Sequence, residues 1–342
     1  MERFLYLLHH ENDGSFADRA LEGLAFAKAL AAQVGGDLHV AVCGEQATKA
    51  AHNLAGASQQ PILVVEGAEF AFPRFATDAA ALTAICETAA PTVVLACSTT
   101  RMTRVLAAVA CRCKGAIDTH ITGVSVNGGQ LSVQRWYYRQ RIQAEQCRSK
   151  RPWFMLFEGG MAPAWQIQTG TVQIQKVECR LPADKIRTIV EGKRTPSGES
   201  QTIRPAANLL FVAGAGWTKK QSDGQTHPDQ AASLIRTFLQ LGGASLGSTK
   251  SLVDLKGEGQ TVLPFLTHLN QVGQTGSTPR HPKGLATCCH GEEPHVVGWR
   301  FINERRAINL DANCGWAQGK ADVLYVADAF AVLEEINKLL QE

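Results

Sequence analysis

Asn208-Leu-Leu-Phe-Val-Ala213, running directly into Gly214-Ala215-Gly216, decides how the second half of this chain folds. An unbroken apolar run of this length reads as a buried strand. The two glycines behind it permit a tight turn and a close approach of backbone to a ligand. A strand that ends in such a turn is how an open parallel sheet begins. Position 219 is lysine, so the third glycine of a dinucleotide fingerprint is missing, which argues against a nicotinamide-dependent oxidoreductase on this framework. Downstream, a helix is expected over Asp229–Leu241, strands over Arg306–Asp311 and Asp322–Val326, and a closing helix over Ala329–Leu340.

Upstream, Lys193-Arg-Thr-Pro-Ser-Gly-Glu-Ser200 is polar and without period, and reads as a linker. The expected domains are therefore 1–192 (α/β, nucleotide-binding-like), a linker at 193–204, and a second α/β domain at 205–342. In the first, apolar strand signals at Phe4–His9, His39–Cys43, Pro61–Val65 and Thr92–Cys97 alternate with helical patterns at Ala17–Val34, Gln46–Ala55 and Thr77–Ala89. That alternation implies βαβ units and a mostly parallel sheet flanked by helices. Beyond Ala116 the pattern turns to period two, and Thr119–Val126, Leu131–Arg139, Arg148–Phe157 and Thr171–Leu181 are expected to be antiparallel strands.

The 342 residues carry a net charge of only +3, so no global field recruits nucleic acid or an acidic membrane. The basic and aromatic letters of Gln134–Arg141 fit one charged and one apolar strand face better than an RNA-stacking surface. Neither a signal peptide nor a membrane-spanning run is recognisable, and a cytoplasmic location is expected. The ten cysteines form no Cys-x-x-Cys pair and read as reduced, buried thiols. Adjacent Cys288 and Cys289 point apart and lack the ligand spacing of zinc, so no metal site is expected. Ser98-Thr-Thr-Arg101 follows a strand but has no nucleophile elbow and no partnered histidine or aspartate.

What remains is a set of polar turns, each after a strand or strand-like run: Gly214–Gly216, Thr249–Lys250, Gly273–Gly276, Thr287–His295 and Asn309–Asp311. Loops at the carboxyl ends of parallel strands converge on one crevice. Within it, Gln271-Val-Gly-Gln-Thr-Gly276 combines glycines with short polar groups suited to an anionic ligand.

In that order these elements resemble the flavin-binding half of the electron transfer flavoprotein α subunit family. Val272–Thr275 reproduces the family's Val-Gly-Gln-Thr stretch, Ala307-Ile-Asn309 its Ala-Ile-Asn, and Asp328 its closing aspartate at a helix start. The family's Ser-Gly-x-x-Gln-His segment reads here His290-Gly291-Glu292-Glu293-Pro294-His295. Ala215 stands where the family usually has arginine, and Thr249-Lys250 where it has Ser-Arg, keeping hydroxyl and charge without the guanidinium fork. The first domain agrees in element order.

The resemblance implies that 205–342 is a doubly wound FAD-binding domain. Ala215, Thr249, Lys250, Val272, Gly273, Gln274, Thr275, His290, Gly291, Glu292, Glu293, Pro294, His295, Asn309 and Asp328 would then lie at the cofactor. Lys250 and His295 would answer the negative charge of reduced flavin, although His295 also reads as a structural histidine at a helix start. The resemblance further implies a heterodimer with a β-like subunit that carries AMP or another second nucleotide. Electrons would arrive from a flavoprotein dehydrogenase and leave to a quinone oxidoreductase or similar acceptor, with no catalytic acid or base. A flavin-free scaffold subunit of a larger redox complex is the alternative, motivated by Ala215, Glu292 and Glu293.

Overall fold

The computed structural model describes residues 2–137, 142–181, 186–192, 203–204, 207–255, 262–273, 279, 281–287 and 302–342. The chain divides into two compact units, Met1–Lys193 and Arg194–Glu342.

The first unit is built on a nine-stranded sheet. Its strands are β1 (Arg3–His9), β2 (Asp37–Gly44), β3 (Ile62–Glu66), β4 (Val93–Cys97), β5 (Ala116–Asn127), β6 (Gln130–Tyr137), β7 (Ile142–Gln146), β8 (Trp153–Phe157) and β9 (Ile174–Lys176). Their order is β7-β6-β5-β8-β4-β1-β2-β3-β9. Strand β1 shows why the sheet needs cover on both sides. Phe4, Tyr6 and Leu8 join one apolar cluster, while Leu5 and Leu7 join the other. Helices α1 (Asp18–Val34) and α2 (Ala47–Ala51) cover the first face; α3 (Phe75–Ala89) and α4 (Thr100–Arg112) cover the second. A strand buried on both faces is the mark of a parallel sheet.

Two expected antiparallel strands are parallel instead. β8 lies between β4 and β5 and runs parallel to both, and β9 runs parallel to β3. For β8 the reason is burial: its Trp-Phe-Met-Leu-Phe is buried throughout, whereas β6 and β7 form the antiparallel ribbon at the sheet's edge. The helix expected over Gln46–Ala55 stops at Ala51, because Ala55 N donates to Gln168 O and the chain is drawn into a bridge at Leu54. Of the cysteines expected to be buried, Cys111 and Cys147 are exposed. The proposed linker lies almost wholly outside the described residues.

The second unit holds five parallel strands: β10 (Leu209–Ala213), β11 (Ser245–Ser248), β12 (Lys283–Thr287), β13 (Glu304–Asn309) and β14 (Val323–Val326), in the order β11-β10-β12-β13-β14. Helices α5 (Pro228–Leu241), α6 (Lys250–Asp254) and α8 (Ala329–Leu339) contribute to the apolar cluster on one face, and α7 (Gly315–Lys320) to that on the other. On the first face Phe211, Trp217, Phe238 and Phe330 form an aromatic chain, with 4.6 Å between the Trp217 and Phe330 rings. Both units are thus α/β with mostly parallel sheets, as the sequence implied. Among the described residues, no helix is long and apolar enough to cross a membrane.

Where β5 leaves β8, a register shift between Asp118 and Ile121 puts His120 at a φ of 56°. The fully buried Asp118 carboxylate anchors this irregularity. It accepts from Arg135 Nη1 at 3.0 Å, from Arg148 Nη2 at 2.8 Å and from Trp153 Nε1 at 2.9 Å. Burial opposes ionisation of Asp118, but the bonds from Arg148 and Trp153 outweigh it and hold its pKa below the usual value. A depressed folded-state pKa stabilises the fold above the unfolded value of about 4 and ceases to do so as pH falls through the folded one. Replacing Asp118→Ala, which strands two guanidinium groups and an indole N–H, is expected to cost about 2–3 kcal/mol. Asp118→Asn should flatten the loss of stability below about pH 4. Hydrogen exchange of the β5 and β8 amides measures both; unchanged protection would rule out this role.

Candidate functional site

In the order β11-β10-β12-β13-β14 the first strand of the unit, β10, has its second and third strands on opposite sides. Open parallel sheets take ligands beyond the carboxyl ends of their strands at such a reversal of strand order. Here the carboxyl ends of β10 and β12 are clamped, since Gly214 N donates to Thr287 O at 3.0 Å. Thr287 is fully buried. Its Oγ1 donates to Val212 O at 3.0 Å and accepts from Trp217 Nε1 at 2.7 Å.

Most of the expected site residues that are described come together along this edge. Ala215 is buried in a single 3-10 turn, Ala215–Thr218, which opens directly after Gly214. Thr249 N donates to Ala213 O at 2.9 Å, and its hydroxyl caps α6 by accepting from Leu252 N. Val272 is held by Val272 N to Ser248 O at 3.0 Å, as part of a parallel bridge between Ser248 and Gln271. That docking needs a glycine beneath it: a Cβ on Gly247 would sit 2.7 Å from Val272 Cγ2. Gly273 then turns the chain with a φ of 82°, a conformation that favours glycine.

At the next strand end, Asn309 is wholly buried. Its Oδ1 accepts from Asp311 N at 2.9 Å, while its Nδ2 is buried with no partner among the described residues. A buried amide donor without an acceptor costs about 1–3 kcal/mol, so its persistence here calls for an acceptor from elsewhere. Asn309 O also accepts from Ala327 N, which leads to Asp328 at the end of β14. Asp328 caps α8, its Oδ1 accepting from Phe330 N at 2.8 Å and Ala331 N at 3.1 Å.

Lys250 is placed differently from the rest. Its Nζ lies 2.5 Å from Asp254 Oδ2, so its charge is answered within its own helix. Gln274, Thr275, His290, Gly291, Glu292, Glu293, Pro294 and His295 lie outside the described residues. Thr287 was expected at this edge as the start of the Thr287–His295 turn, but its bonding partner, the Trp217 indole, was not anticipated from sequence. An indole N–H so close behind the glycine turn needs an acceptor when buried, and that was the available signal. The described edge offers backbone turns and an amide donor. Such groups bind and orient an acceptor-rich ligand, and flavin with its ring carbonyls, hydroxyls and phosphates fits that donor set. Among the described residues no group of three or more acidic, histidine or cysteine side chains is placed to hold a metal ion.

The sequence matches the electron transfer flavoprotein domain over residues 5–181. It is also similar to the electron transfer flavoprotein subunit alpha of Clostridium acetobutylicum, with 22% identity over 347 residues, covering 99% of this chain and 95% of that protein. The chain belongs to the electron transfer flavoprotein family, as a divergent member whose full-length likeness is to an α subunit.

The Thr287–Trp217 bond can be tested apart from any ligand. Thr287→Val keeps the side-chain shape but leaves the buried Trp217 N–H without its acceptor, and should destabilise the second unit by about 1–3 kcal/mol. Thr287→Ser should restore most of that loss. Urea unfolding followed by tryptophan fluorescence reads the difference, and an unaltered midpoint in Thr287→Val would contradict the assignment.

Proposed function

We propose that this chain is the FAD-binding α subunit of a heterodimeric electron transfer flavoprotein. It takes electrons from a flavoprotein dehydrogenase and delivers them to a quinone oxidoreductase or a similar acceptor. The observation that carries the reading is the Nδ2 of Asn309, which has no partner among the described residues and is buried at the carboxyl edge of a doubly wound sheet. Family membership and the full-length likeness to an α subunit supply the chemical class of the missing acceptor.

FAD supplies the reversible electron chemistry when bound, and the chain supplies position and electrostatics. Val272 and Gly273, pinned to β11, present the start of the glycine loop, and Gln274 and Thr275 continue it. Asn309 donates its free amide hydrogen to a cofactor oxygen, and the Gly214–Ala215 turn and Thr249 line the neighbouring strand ends. His295 is the residue assigned to answer charge on the reduced ring, within the segment His290–His295. Lys250 joins it only by leaving Asp254. Asp328 holds the start of α8 and, through it, the last loop of the edge. A β-like subunit carrying AMP or another nucleotide completes the flavin's surroundings, and the complex works in the cytoplasm. The competing reading, a flavin-free scaffold, draws on Ala215, whose buried methyl brings no charge to the first glycine turn.

The test is FAD titration of the complex with its β-like partner, followed by flavin fluorescence. The intact complex should bind FAD, and Asn309→Ala should weaken binding about tenfold, the worth of one hydrogen bond to a buried donor. An Asn309→Ala complex with undiminished affinity removes Asn309 from the site, and an intact complex that binds no FAD defeats the reading as a whole.

A further inference from the structure

Helices α3 and α4 follow the parallel strands β3 and β4 and pack on the same face of the first sheet, so they run side by side in the same direction. Their amino ends are locked together. Asp78, fully buried in the first turn of α3, accepts from Arg101 Nη2 at 2.6 Å and Nε at 3.0 Å, and from Arg104 Nη2 at 3.2 Å. This anchor fixes the register of the pair. At 1.5 Å per residue, Cys86 lies about 12 Å along α3 from Asp78, and Cys113 about 13 Å along α4 from Arg104. The two thiols therefore lie level with each other at the carboxyl ends, close enough to interact, and pack in the same apolar cluster. Cys86 is buried in the last turn of α3; Cys113 is the half-buried residue that ends α4.

We propose that Cys86 and Cys113 form a reversible redox site, oxidised to a disulfide by small soluble disulfides of the glutathione type. The Cys113 thiolate attacks one sulfur of the small disulfide, and the other sulfur leaves as a thiolate that takes up a proton. Cys86 then loses its proton to solvent and attacks the Cys113 sulfur, which releases the second half of the reagent as a thiol. The sum is two protein thiols and one small disulfide giving one protein disulfide and two small thiols. The protein is oxidised by two electrons, the reagent reduced by two, and excess small thiol reverses the reaction.

The division of labour follows from the surroundings. The neighbouring Cys86 thiol lowers the pKa of Cys113 despite its partial burial, which favours the thiolate at the thiol that reagents can reach. The same contact, together with burial, raises the pKa of Cys86. Once the Cys113 sulfur is bound in a mixed disulfide, that opposing thiolate is gone, and Cys86 sits beside the sulfur it must attack. The exposed Cys111 and Cys147 have no such neighbour among the described thiols and would stop at a mixed adduct.

Oxidised glutathione added to the intact protein, followed by alkylation and a non-reducing digest read by mass spectrometry, tests the proposal. The expected product is a Cys86–Cys113 cross-linked peptide, formed with loss of both free thiols and fully reversed by dithiothreitol. Cys86→Ser should instead trap glutathione on Cys113. A Cys113 that carries glutathione in the unmodified sequence without passing to the cross-link overturns the proposal. So does a protein in which only Cys111 or Cys147 reacts.

Discussion

The clamp between Gly214 N and Thr287 O is the constraint from which the second unit's site follows. β10 has the next strand of the unit on one side and the third on the other, the point at which open parallel sheets take ligands beyond their carboxyl ends. Side chains fix the strand ends there: Trp217 is tied to Thr287, Val272 is seated in the space left by Gly247, and Asn309 carries an amide donor with no partner among the described residues. Had the strands been ordered consecutively, the same residues would lie along an edge with no opening between them.

Much of this was legible in the sequence because parallel sheets write themselves in apolar runs. Phe4–His9, Thr92–Cys97 and Asn208–Ala213 could be placed as buried strands from composition alone, and the structure has strands there. β8 was misassigned in direction because Arg148–Phe157 was read as one strand alternating in period two, although Trp153–Phe157 itself is continuously apolar. Pairing direction depends on which strands flank a run, and that is a tertiary fact. The early end of α2 has the same origin, a bridge to Gln168 more than a hundred residues away.

The site was legible in its motifs and illegible in its bonding. Val272-Gly273, Thr249, Asn309 and Asp328 could all be named from the chain, yet nothing in the letters distinguishes an asparagine with a spent amide from one with a free one. The Lys250–Asp254 pair was more accessible, since the two residues are four apart at a helix start, a spacing that brings opposite charges together. The motif likeness to the flavoprotein family was carried by residues of the second unit, while the matching family domain covers residues 5–181 of the first. The two are consistent in kind. A unit whose likeness lies in core pattern and element order offers no short motif to quote, but it accumulates similarity along its whole length.

The first unit is a nine-stranded platform stabilised by buried ion pairs at Asp78 and Asp118, and the second a small parallel sheet whose carboxyl edge carries the proposed site. The central claim is that this ligand is a flavin. It is tested most directly by the visible absorption spectrum of the chain purified together with its β-like partner, followed by acid release and identification of any bound cofactor. The account predicts a flavin spectrum and stoichiometric release of FAD from the heterodimer. A colourless complex that also fails to take up added FAD would contradict it.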